Sequence, residues 1–197
     1  MEKDWKNSTI LYCIILMYQS KCCFSLRCES NIPPNVHGVH PSMLVDSEMK
    51  VTQNNLIHTI PRISTEWSLS LTIRIEKSRL GYWKSIIHFS TGENYSRLPA
   101  IFLSPSTDTL HICYDINGNV NHCHDPPIKI GKSHHVTVHQ RYISNGYYKY
   151  FIIFDGLEVH SVIKKQAQQF YNVQVFTGDP WYAADDYISN VEFTNYL

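Results

Sequence analysis

Two cysteines near the middle of the chain carry the most definite chemistry. Cys113 and Cys123 flank Ile116-Asn117-Gly118-Asn119-Val120. Asn and Gly tolerate the positive φ that a tight hairpin needs, so this stretch reads as a turn between two strands. If 117–119 form a three-residue loop, Ile116 faces Val120 and Cys113 faces Cys123. Opposed residues of an antiparallel pair meet the Cβ spacing of a disulfide, so a Cys113–Cys123 bridge is expected. It closes a short loop and contributes about 2–3 kcal/mol. A structural disulfide belongs to an oxidising compartment.

A second segment is Asp179-Pro180-Trp181-Tyr182. An exposed Trp-Tyr pair on a loop can stack on a sugar ring, with Asp179 accepting from hydroxyls. The alternative is that Trp181 folds back to plug one end of the fold, with Pro180 fixing the turn. Exposed aromatics can equally anchor a protein interface.

The histidines are less telling. The chain has 11. His122 and His124 flank Cys123, and His135 and His139 share one strand face with Thr137. His-x-His can bind zinc, but a structural zinc usually takes four ligands. This spacing does not supply them, so these are read as solvent-facing strand histidines. Signs of catalysis are lacking too. There is no pair of carboxylates spaced along one strand for glycosidic cleavage, no G-x-S-x-G elbow and no Gly-rich phosphate loop. A non-enzymatic role is expected.

Composition narrows the class. The 197 residues include 17 Lys+Arg and 17 Asp+Glu, for a formal net charge of zero. Such a chain lacks the excess positive charge of a general nucleic-acid or polybasic membrane binder. Charged residues make up 17% and aromatics 13%, including 13 tyrosines. That balance is incompatible with global disorder and fits an extracellular all-β domain.

The N-terminus points the same way. Residues 10–18 form an unbroken apolar run, shorter than the roughly 20 residues a membrane span requires but right for a signal-peptide core. Residues 1–25 therefore read as a signal peptide, with a buried N-terminal strand or helix as the alternative. Residues 26–48, with Asn31-Ile32-Pro33-Pro34, read as a leader on or ahead of the domain. Cys28 has no evident partner: it is free, pairs with Cys22 or Cys23 if they are retained, or links two chains. Asn94-Tyr95-Ser96 is a glycosylation sequon. Secretion to the extracellular space follows.

Residues 49–197 form the domain. Trp67, Leu69, Leu71, Ile73 and Ile75 alternate with Glu66, Ser68, Ser70, Thr72 and Arg74, the period of a half-buried strand. Further strand-like runs cover 83–89, 100–103, 110–116, 135–140, 147–154, 157–163, 170–176 and 187–193. Gly, Pro and Asn signals separate them, and the one helix candidate is a turn at 164–169. Short, regularly punctuated strands mean an antiparallel sandwich or barrel.

Within that frame, His134-His135-Val136-Thr137-Val138-His139-Gln140, the run 147–154 and Asp155-Gly156-Leu157-Glu158-Val159 resemble the late core of laminin-G-like domains of the concanavalin A-like superfamily. The ending Val173 to Tyr182, followed by Ile188-Ser189-Asn190, is similar to a variant of secreted invertebrate proteins. Trp67 with its strand and Ser85-Ile86-Ile87-His88-Phe89 match the opening of such a domain. The resemblance covers roughly 60–195. It implies an antiparallel β-sandwich of jelly-roll type that binds through its rim loops. The role expected is recognition of extracellular glycans or glycoproteins, and the alternative is a protein or matrix adhesion module. The resemblance also implies that calcium could be held at the rim, where Asp108, Asp179, Asp185 and Asp186 are candidate ligands. Each could instead be a plain turn residue.

Overall fold

The structure is a computed structural model that describes residues 32–77, 81–92, 96–179 and 181–196. The chain divides into two compact units, 1–34 and 35–197, and the second holds every element described below. The signal-peptide run, Cys28 and the sequon Asn94 lie outside the described residues.

The described residues contain strands and no helix. In chain order they are β1 (Ser42–Val45), β2 (Met49–Lys50), β3 (Asn55–Ile63), β4 (Trp67–Arg74), β5 (Lys84–Ser90), β6 (Ala100–Leu103) and β7 (Leu110–Ile116). Then come β8 (Asn119–His124), β9 (Ser133–Ser144), β10 (Tyr147–Phe154), β11 (Leu157–Lys164), β12 (Phe170–Thr177), β13 (Tyr182–Ala183) and β14 (Tyr187–Asn195). They build two sheets. One runs β1-β14-β4-β9-β10-β11, with β2 also on β14. The other runs β3-β12-β5-β6-β7-β8, with β13 also on β5. Every pairing between these strands is antiparallel except β13 on β5. The expected all-β antiparallel sandwich is the fold.

Alternation explains the core. Trp67, Leu69, Leu71 and Ile73 of β4 are buried, and so are Val136 and Val138 of β9. They meet Phe89, Ile101, Leu103, Leu110, Ile112, Val173 and Val175 of the other sheet in one cluster. Each fully buried aliphatic side chain contributes about 1.5–3 kcal/mol.

The turns follow their residues. Asn117-Gly118, Asn145-Gly146 and Asp155-Gly156 each place two successive residues at positive φ, as a two-residue hairpin turn requires. Asp155 is further fixed by its carboxylate. It accepts from His134 Nδ1 at 2.7 Å and from the His135 amide at 2.8 Å. His134 Nε2 takes the Lys129 amide at 2.9 Å, so Nδ1 is the protonated nitrogen.

Two local expectations change. The β7–β8 turn has two residues, not three, because Ile116 pairs with Asn119 rather than Val120. A bulge between Tyr114 and Ile116 restores the register, and Cys113 still opposes Cys123. The segment 164–169 is not helical. Lys164 ends β11 as a buried residue, its ammonium 4.1 Å above the Tyr114 ring and 2.5 Å from the Asp115 carbonyl. Within the leader segment, Ser42–Val45 add a strand to β14.

Candidate functional site

The disulfide forms as the spacing predicted, with Cα atoms 4.2 Å apart. Its place in the pleat matters more than its existence. On β6 and β7, Ile101, Leu103, Leu110 and Ile112 belong to the core. Phe102 and His111 alternate with them and directly oppose each other, so they face outward with the bridge. The floor of an outer-face site is thus Phe102, His111 and the Cys113–Cys123 bridge.

Two tryptophans wall it. Trp83 precedes β5 and lies 4.5 Å from the His111 ring. Trp181 meets Phe102 edge to face at 5.0 Å. They are 39% and 38% exposed, respectively, so each is anchored along one side and open along the other. Polar groups close the rim. The Arg97 guanidinium lies 5.5 Å from the Phe102 ring and 5.7 Å from the Trp181 ring, within cation–π range. It also donates to Asn121 Oδ1. Burial lowers the Arg97 pKa. Asp125 Oδ1 is 2.6 Å from His111 Nδ1. Together these residues enclose a cleft of about 510 Å³, within the usual range for small-ligand sites.

What carries Trp181 there is a chain reversal. β12 covers the Phe89 end of β5, then Gly178 turns at φ +71° and β13 pairs with the Lys84 end. The reversal is tight. A Cβ on Gly178 would fall 2.4 Å from the Thr52 carbonyl oxygen. Ser85 Oγ holds the segment by donating to the Asp179 carbonyl at 2.6 Å.

The residues singled out from the sequence take different places. Trp181 lines the cleft. Tyr182, 60% exposed, lies outside the cleft lining and packs on Tyr82 at 5.3 Å. The Asp179 carboxylate lies 3.6 Å from Nδ1 of the buried His88 rather than on the cleft wall. Burial lowers the His88 pKa, opposed by its bond to the Ser96 carbonyl and by Asp179. Asp185 pairs with Lys50 at 2.5 Å. Asp186 is buried and accepts from the Glu76 amide at 2.9 Å. The Asp108 carbonyl accepts from the Ile128 amide at 2.9 Å. Among the described residues, these four aspartates do not converge as three or more neighbouring ligands. The one such group is His111, Cys113 and Cys123, and both its sulfurs are in the disulfide.

Sequence reasoning missed Trp83, Arg97, Phe102, His111, Asn121 and Asp125 as site residues. One signal was present. Phe102 and His111 place rings at opposed outward positions of two neighbouring strands.

Comparisons with known proteins bear on the fold. No family model matches, and no curated protein matches in sequence. Among solved structures, the chain is similar to the heptameric SAP-like pentraxin of Limulus polyphemus, at 11% identity and TM-score 0.51 over 77% of each chain. It is also similar to the botulinum neurotoxin type G receptor-binding domain, at 14% identity and TM-score 0.51, over 80% of this chain and 43% of that one. The likeness is one of fold. At these identities it carries the β-sandwich architecture and no residue roles.

Proposed function

We propose that this protein is a secreted, non-catalytic recognition module of the concanavalin A-like kind that binds glycan or glycoprotein ligands in the Trp83–Trp181 cleft. The observation that supports this reading most is the cleft itself, which sets two half-exposed tryptophans over an aromatic floor beside a guanidinium, an amide and a carboxylate. A sugar ring presents polarised C–H groups on one face and hydroxyls around its edge. The C–H face suits the electron-rich face of an indole. The hydroxyls suit donors from Arg97 and acceptors on Asn121 and Asp125. The pentraxin and toxin-domain architectures make a binding role reasonable for this scaffold, and the disulfide fits an oxidising compartment.

The test is a glycan array with the secreted protein, run with calcium and again with chelator. Selective binding that Trp181→Ala abolishes supports the reading. Retention in chelator places recognition on the side chains rather than on a rim cation. No binding by folded protein in either buffer overturns the glycan reading. A second reading, a protein adhesion surface, draws on the exposed Tyr82–Tyr182 pair beside the cleft. A Tyr82→Ala, Tyr182→Ala variant that loses attachment to matrix protein but keeps glycan binding would favour it.

A further inference from the structure

The last strands of the two sheet paths, β8 and β11, approach each other along one side of the sandwich, and a histidine cluster fills the seam. His122 and His124 come from β8 and His160 from β11. The Nε2 atoms of His122 and His160 are 2.8 Å apart. The His124 ring stacks on His160, with centroids 5.1 Å apart and planes 14° apart. Beneath them lies Tyr150, buried and stacked on Tyr114. The seam is fixed independently of the imidazoles. The Asn117 side chain donates to the Ile163 carbonyl at 3.0 Å and accepts from the Lys165 amide at 2.7 Å.

We propose that His122 and His160, joined by His124, form a binding site for an imidazole-seeking divalent transition metal of the copper or zinc class, which clasps the two sheets together. Two nitrogens bound at about 2.05 Å and at right angles on one metal stand about 2.9 Å apart. The observed pair has nearly that separation, while a tetrahedral angle asks it to open to about 3.3 Å. In the metal-free pair one Nε2–H donates to the other ring's lone pair. Binding replaces that hydrogen bond by two nitrogen–metal bonds, and the displaced proton moves to Nδ1 of the same ring. The site therefore takes the ion without net proton release. His124 does not bring a ring nitrogen within 4.8 Å of both partners as it stands, so a side-chain rotation supplies the third ligand. Metal ligation needs neutral imidazole.

The test uses the untagged full chain and one equivalent of Cu2+, followed by electron paramagnetic resonance at low temperature, with Zn2+ in a parallel thermal-shift titration. The expected spectrum shows hyperfine splitting from at least two nitrogens. Zn2+ at about 100 times its Kd should raise Tm by roughly 5–10 °C. His160→Gln and His122→Gln should each reduce the number of coupled nitrogens and weaken binding at least thirtyfold, while urea unfolding without metal shows both variants folded. The proposal fails if wild type gives no nitrogen splitting. It also fails if the splitting survives unchanged in both variants, or if the ion is held by sulfur alone.

Discussion

Acid should destabilise this protein through one histidine above all. His139 lies on β9 and is only 7% exposed. Its ring stacks on Phe151 with centroids 4.6 Å apart, and neither ring nitrogen has a hydrogen-bond partner among the described residues. Burial, reinforced by Arg141 and opposed by Glu158, pushes its pKa from 6.5 down to about 4. In the unfolded chain the same imidazole titrates near 6.5. Between those values the unfolded state binds the extra proton, so stability is complete above pH 6.5 and falls as pH drops toward 4. A displacement of this size corresponds to about 3 kcal/mol, a large part of a typical folding free energy. The perturbation is His139→Leu, which keeps an apolar contact with Phe151 and removes the proton site. The assay is urea unfolding at fixed ionic strength from pH 7.5 to 4.5, with the disulfide intact. Wild type should lose between about 2 and 3 kcal/mol more than the variant over that range. The other histidines with lowered pKa values, His88, His122 and His160, titrate in both proteins and cancel in the difference. Parallel curves for the two proteins would refute the argument that a buried, neutral His139 carries this acid sensitivity.

Other perturbations follow from the same structure. Gly178→Ala forces a Cβ against the Thr52 backbone at positive φ, and should cost more than about 2 kcal/mol in urea unfolding. Replacing Cys113 and Cys123 together with Ser should cost about 2–3 kcal/mol, read the same way, because the bridge closes a loop of sequence separation 10. Trp181→Ala should lower stability by less than about 2 kcal/mol, since the ring is 38% exposed. It should nevertheless weaken ligand binding at least tenfold, about 1.4 kcal/mol, in a direct titration.

Much of the sandwich was legible because its signals are local. Trp67 to Ile73 alternate cleanly, and runs 100–103, 110–116 and 147–154 match the bounds of β6, β7 and β10. The Asn-Gly and Asp-Gly pairs mark real turns, since each supplies two residues that accept positive φ. The short strands β1, β2 and β13 were illegible. They contain too few residues to show a period and exist only because β14 and β5 offer backbone partners. Lys164 misled for a related reason. Its burial over Tyr114 depends on a strand far away in sequence. The site was legible only in part. Trp181 and the disulfide came from local spacing, but Trp83, Arg97, Phe102 and His111 meet through sheet order. The histidines show the same limit. His139 alternates like a solvent-facing residue yet is buried, and His122 meets His160 only because the last strands of two different sheet paths come together.

The central claim is that ligand sits between Trp83 and Trp181. Its most direct test is isothermal titration of the strongest glycan found on the array into wild type and Trp83→Ala, each shown to be folded with the disulfide formed. One site in wild type and at least tenfold weaker binding in the variant are expected. Equal affinity in the two proteins would contradict it and move recognition away from this cleft.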